Sequence, residues 1–147
     1  MKFFVDTNIP MYAAGREHRY RKACQVIINA LAEGSIQGVT DTEVLQEILY
    51  RYHYINRQQD GWRIYDSFRT IMDQAVLPVT VEDMDLARKL SGKYPDMPPR
   101  DLIHVAVMLN NDVNAIISAD AHFDQLNETS RVDPLDLRLV DRHTVKK

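Results

Sequence analysis

Short apolar runs alternate with longer stretches of helical periodicity along this chain, and polar residues mark nearly every boundary between them. Lys2 to Val5 is mostly apolar and stops at Asp6-Thr7-Asn8, the pattern of a buried strand running into a polar turn. Apolar positions then recur at helical spacing from about Tyr20 to Ala32, and Gly34-Ser35 ends that run before a short strand candidate over Ile36 to Val39. Thr40 and Asp41 are both suited to cap the helix that follows, over about Asp41 to Ile55.

Laid out at about 100° per residue, that helix gathers Val44, Leu45, Ile48, Leu49, Tyr52 and Ile55 into one arc of about 140°. Glu47 falls about 60° beyond the arc, beside Arg51 and Tyr54, on the shoulder between core and solvent. A further helix is predicted from about Gln58 to Gln74, then a strand over Ala75 to Val79. Thr80-Val81-Glu82-Asp83 reads as a capped helix start, with the helix running to about Ser91 and a break at Gly92. Pro98 and Pro99 preset the backbone for a helix from Arg100 onward. Leu102, Ile103, Val105, Ala106, Val107, Met108 and Leu109 point to every side of it, so it must be covered nearly all round, with Asp101 fixed at its mouth. Ala115 to Ser118 repeats the opening pattern: a buried strand, then Ala119-Asp120. Leu137 to Val140 is one more strand candidate before a basic tail from Arg142 to Lys147.

Short apolar strands alternating with helices indicate an α/β fold, a mainly parallel sheet covered by helices on both faces. At 147 residues, with neither repeat nor linker, one domain over 1–147 is expected. No run approaches the roughly eighteen apolar residues of a membrane span, and Asp6 comes too early for a signal-peptide core. The lone Cys24 sits in apolar, helical company and reads as a buried thiol, which fits a reducing cytoplasm. The net charge of −3 speaks against a protein that coats nucleic acid through its whole surface. Charge location changes that picture: with five of the 21 acids sequestered in one site, the 18 Lys and Arg side chains outnumber the acids left over.

Asp6 and Asp120, each directly after a buried strand, should lie at the carboxyl edge of the sheet, where open α/β folds bind ligands. Asp101 and Glu47 begin or flank helices that can return to that edge. Each alone is an ordinary turn former or cap; together they form a constellation. Carboxylates about 5 Å apart repel by about 3 kcal/mol per pair at an effective dielectric near 20, so four converging acids need a cation or raised pKa values. Hard oxygen ligands without clustered cysteines favour magnesium or manganese over zinc.

Phe4-Val5-Asp6-Thr7-Asn8, Glu43 to Ile48, Arg100 to Ala106 and Ile117 to Asp124 occur in the order seen in PIN-domain nucleases, and the likeness spans nearly the whole chain. It resembles above all the stand-alone VapC toxins of toxin–antitoxin pairs. The resemblance implies a three-layer α/β/α sandwich, magnesium- or manganese-dependent endoribonuclease activity, a cognate antitoxin as partner and often a homodimer. It also implies catalytic roles for Asp6, Glu47, Asp101 and Asp120, metal binding by Asp6, Asp101, Asp120 and Asp124, and polar support from Asn8 and Ser118. Many relatives carry threonine where Ser118 stands, which keeps the hydroxyl. Glu43, one helical turn before Glu47, competes for the place of the second acid.

Other features keep two readings. Asp101 and His104 have the i, i+3 spacing of carboxylate–histidine metal sites, although a histidine in so apolar a helix is ordinarily a hydrogen-bonded packing residue. His122 adjoins Asp120 and reads as an exposed turn histidine. Tyr50, Tyr54, Trp62 and Tyr65, interleaved with Arg51, Arg57 and Arg63, suit either stacking on unpaired bases or packing at an interface. Arg16, Arg19, Arg21 and Lys22 form a basic cluster, either a solvated face or part of an RNA path. A dehalogenase-like phosphatase would need an aspartate where Asn8 stands, and a phosphoacceptor receiver would need paired early acids. The rival reading is a non-catalytic module that binds RNA or a partner without cutting.

Overall fold

The computed structural model describes residues 1–136. In chain order its elements are β1 (Lys2–Val5), α1 (Asn8–Ala14), α2 (Arg21–Glu33), β2 (Gln37–Asp41), α3 (Thr42–Tyr54), α4 (Gln58–Met72), β3 (Val76–Leu77), α5 (Val81–Lys93), α6 (Pro99–Asn110), β4 (Ala115–Ile117) and β5 (Ser130–Val132). The five strands pair in parallel in the order β3-β2-β1-β4-β5. In the central pairing Phe4 lies opposite Val39 on one side and Ile116 on the other. Right-handed crossovers fix which helices cover which face. The chain steps from β1 outward to β3 with α1, α2 and α4 gathered against one another, then returns past β1 to β4 through the packed pair α5 and α6. The result is an α/β/α sandwich, with Phe4, Val5, Ile116 and Ile117 fully buried between the layers.

Local chemistry explains the boundaries. Gly34 takes a left-handed conformation, φ 82°, at the end of α2, where its N–H returns to the carbonyls of Ala30 and Leu31. Asp41 caps α3 through Oδ1, which accepts from Val44 N–H at 2.9 Å. Thr80 and Asp83 form a reciprocal capping box on α5, and Asp83 also accepts from Asn110 Nδ2 at 2.7 Å, which ties α5 to α6. Cys24 is fully buried, and burial, with the charge of Asp133 behind it, pushes its thiol up to about 12.

Several expectations need correction. Leu49 and Ile55 are 42% and 55% exposed, because Leu49 lies on the open groove between α3 and α4 and Ile55 has already left helical geometry. The helix α5 runs through Gly92 to Lys93, and the strand expected over Ala75 to Val79 shrinks to two residues. The short α1 and the strand β5 were not anticipated. The strand candidate Leu137 to Val140 and the basic tail lie outside the described residues. No helix of the described chain is long and apolar enough to cross a membrane.

Candidate active site

The chain leaves β1 toward β2 on one side and reaches β4 on the other, so the strand order reverses between β1 and β4. Helices diverge at such a point, and the crevice outside the carboxyl ends of the two strands is where this architecture binds ligands. Asp6 follows β1 there and Ser118 follows β4. The Asp6 N–H continues the ladder to Ile117 O at 3.2 Å, so the carboxylate is held by strand geometry.

Around Asp6 the short polar residues lock together. Oδ1 accepts from Thr7 N–H at 2.8 Å; Oδ2 accepts from the Ser118 hydroxyl at 2.6 Å and from Asn8 Nδ2 at 3.2 Å. Asn8 Nδ2 also donates to Ser118 Oγ, Asn8 Oδ1 accepts from Ala119 N–H, and Ser118 Oγ accepts from Asp120 N–H. Asn8 and Ser118 therefore stitch the two strand ends and orient both Asp6 and the turn that carries Asp120.

The other acids reach the crevice from elsewhere in the chain. Asp101 stands in the first turn of α6, where the helix dipole favours a carboxylate. Glu47 comes from α3, and Asp120 from the turn after β4. With Asp6, these line a cleft of about 470 Å³ whose walls include Tyr12, Arg51, Arg100 and His122. The crowding is visible in the protonation of Asp101 and Asp6. Burial, then the charge of Asp6, pushes Asp101 up to about 6, with Asp120 and Glu47 adding to it and His104 opposing. Burial also raises Asp6, against the pull of His104, Ser118 and Thr7. Glu47, 6% exposed, is compensated by Arg51 Nε at 3.2 Å and Arg100 Nε at 3.9 Å. Glu43 does not line the cleft; burial raises its carboxyl, and Asp41 and Glu47 raise it further.

Asp124 is not brought into this cluster. The 3-10 turn Ala121–Gln125 carries it outward, where Arg131 of β5 grips both of its oxygens at 2.9 and 3.0 Å and holds its carboxyl below the ordinary range. His122, 60% exposed at its side chain, does approach: its nearest ring nitrogen and oxygens of Asp101 and Asp120 all lie within 4.8 Å of one another.

His104 lies beneath the cluster, fully buried against the Phe4 ring. Its Nδ1 is 2.8 Å from Asp41 Oδ2, and its Nε2 faces Asp6 Oδ1 at 4.0 Å without a hydrogen-bond partner among the described residues. Burial lowers its pKa, but Asp41, Asp6 and Asp101 outweigh that and push it up to about 9. The imidazole is thus a fixed cation under the acids. Neither the role of Asp41 as its anchor nor the presence of Arg100 and Tyr12 in the cleft wall was read from the sequence. Asp41 carried a capping signal only, and its partner is 63 residues away. The exposed Tyr50, Tyr54 and Trp62 lie on α3 and α4, and Tyr50 and Trp62 line the groove between those helices, apart from the acidic cleft.

Comparison with known proteins gives the family. The PIN domain family profile matches residues 3–128. The chain is 37% identical over 120 residues to ribonuclease VapC13 of Mycobacterium tuberculosis, covering 82% of this chain and 91% of that protein. To ribonuclease VapC23 of the same species it is 33% identical over 117 residues, with 80% and 91% covered. Among solved structures it is similar in fold to the sarcin–ricin-loop-cleaving toxin VapC20 of M. tuberculosis, with TM-score 0.69 at 14% identity over 86% of this chain and 96% of that one. It is similar likewise to a chain of the FitAcB structure from Neisseria gonorrhoeae, with TM-score 0.71 at 11% identity over 93% and 100%. A profile match over most of the chain, and relatives above 30% identity along four fifths of it, mean that this protein belongs to the PIN-domain family and, within it, to the VapC ribonucleases, toxins of VapBC toxin–antitoxin systems.

Proposed function

We propose that the chain hydrolyses RNA phosphodiester bonds with magnesium or manganese held by Asp6, Asp101 and Asp120, and that Glu47 and Asp120 orient the attacking water. The observation that carries this reading is the convergence of acids from β1, α3, α6 and the turn after β4 on one cleft, with Asp101 raised to about 6 by burial and by its neighbours. The donor set fits the ion: carboxylate oxygens that burial and mutual repulsion leave short of positive charge suit a hard divalent cation. When bound, such a cation supplies Lewis-acid stabilisation of phosphate charge and lowers the pKa of a nearby water.

The remaining work falls to the chain. Thr7 N–H, Ser118 and Asn8 hold Asp6 in one orientation. Arg51 and Arg100, each about half exposed at the rim, offer charge to the backbone of a bound strand while their pairing with Glu47 keeps that carboxylate directed. No side-chain nucleophile is needed. Asp124 takes no part while Arg131 holds both its oxygens. We further propose a cognate antitoxin as partner, since a basic side chain entering the cleft would gain from the same field that attracts the cation. A homodimer is proposed with it, the exposed Tyr50, Tyr54 and Trp62 supplying apolar area.

The test is cleavage of a panel of structured RNAs. The wild-type chain is expected to cut in magnesium or manganese and to stop in excess chelator. Asp6→Asn should lose at least about a hundredfold in rate with an unchanged circular dichroism spectrum, in line with the loss of a preorganised charged group. Full activity in chelator would end the metal reading, and RNA binding without cleavage would favour the non-catalytic module.

A further inference from the structure

Among the described acid and histidine side chains that line the cleft, His122 is the one that the catalytic reading leaves without work. Its backbone N–H and its ring Nδ1 both stand 2.9 Å from Asp120 Oδ1, which places the ring beside the carboxylate at the start of the 3-10 turn. As a structural ion pair this would contribute little, because both side chains are substantially exposed, 60% and 33%. Its placement has another consequence. One ring nitrogen, an Asp101 oxygen and an Asp120 oxygen lie within 4.8 Å of one another. Ligand atoms at about 2.1 Å from one ion are about 3 Å apart when adjacent and about 4.2 Å apart when opposite. The cluster therefore needs to close only slightly around a cation, and the exposed His122 ring is free to make that adjustment by rotation.

We propose that His122 is a metal ligand, its imidazole nitrogen joining oxygens of Asp101 and Asp120 on a divalent cation to make a mixed nitrogen–oxygen site that prefers manganese to magnesium. The proposal rests on the reading of these acids as a metal centre. A second observation points the same way from the opposite side of the cluster: His104 Nε2, fully buried and without a hydrogen-bond partner among the described residues, faces Asp6 Oδ1 at 4.0 Å. A buried polar atom left without a hydrogen-bond partner beside a carboxylate marks a place that a water or an ion can satisfy. The preference follows from donor chemistry. Magnesium demands oxygen ligands in a strict octahedron and retains its waters, whereas first-row transition ions accept imidazole readily. Because His122 stands at the solvent edge and His104 is sealed beneath Asp6, only His122 can move onto an ion without disturbing the core.

The experiment is pulsed electron paramagnetic resonance of manganese added to the full chain, with manganese and magnesium affinities measured by titration calorimetry. Wild-type protein is expected to show echo modulation from a directly bound imidazole nitrogen. In His122→Ala, whose fold is checked by circular dichroism, that modulation should vanish, manganese affinity should fall by about tenfold or more, and magnesium affinity should barely change. Wild-type manganese bound without nitrogen modulation, or modulation that survives in His122→Ala, overturns the proposal while leaving the carboxylate centre standing. Absence of any manganese binding by the wild type overturns both.

Discussion

His104→Leu removes the imidazole at nearly constant apolar bulk, and its cost follows from what is left behind. Asp41 is fully buried; with His104 gone, its Oδ2 loses the partner at 2.8 Å while Oδ1 stays engaged with Val44 N–H. Breaking a buried ion pair from one side costs about 3–5 kcal/mol, since the orphaned charge keeps its desolvation penalty. Linkage gives the same scale: a rise from 6.5 to about 9 in the folded state corresponds to about 3 kcal/mol. The folded pKa is raised, so this contribution is fully present below about pH 6.5 and declines as pH rises through about 9. Urea denaturation of wild type and variant, at about pH 6 and about pH 10, measures both statements. The variant should lose about 3 kcal/mol or more at the lower pH and distinctly less at the higher. Adding Asp41→Asn, which keeps a capping oxygen and removes the charge, should recover part of the loss. A cost below about 1 kcal/mol near neutrality, the value of an exposed pair, or a cost independent of pH, would refute the reasoning.

Two further outcomes follow from the cleft and its supports. Burial and the charge of Asp6 raise Asp101 to about 6, so its ionisation costs the fold stability as pH rises from about 4 through about 6; manganese removes that penalty and should raise the melting temperature more at about pH 8 than at about pH 5, with equal shifts counting against the site. Gly61 of α4 lies against Tyr52 of α3 so closely that an added Cβ would stand 2.6 Å from Tyr52 Cβ; Gly61→Ala should lower the urea midpoint by an amount equivalent to about 1–3 kcal/mol, and an unchanged midpoint would mean that the two helices part freely.

The sequence carried the fold wherever burial was one-sided or complete. The all-round apolar pattern after Arg100 located α6, and the repeated apolar run ending in Asp marked β1 and β4, because both signals come from contacts close in sequence. What was illegible depended on distant partners. The weakly apolar Ser130-Arg131-Val132 becomes a strand only because β4 offers it a free edge. Asp124 looks like its acidic neighbours in sequence, and only the position of Arg131 turns it away. Glu47 could be placed on a shoulder by helical geometry, but its pairing with Arg100 comes from a different helix. Asp41 shows the limit most clearly: capping is a local property and was visible, whereas its anchoring of His104 exists only after β2 and α6 have met.

That anchoring also bears on how the acids coexist before any cation arrives. Four carboxylates sharing one cleft repel one another, and the fold would bear the repulsion in full if nothing opposed it. The described residues oppose it with positive groups set at different depths. His104 lies under Asp6, while Arg51 and Arg100 flank Glu47 at the rim. The buried charge is fixed by Asp41 and cannot leave, so it stabilises the cluster without competing for the face that a cation approaches. The rim arginines are half exposed and can exchange Glu47 for a phosphate when a strand enters. Among the described residues Asp101 has neither kind of partner within ion-pair distance, and it is the acid pushed up to about 6. A cation seated between Asp101 and its neighbours therefore meets the part of the cluster that the protein's own charges leave least compensated, where the gain from binding is greatest.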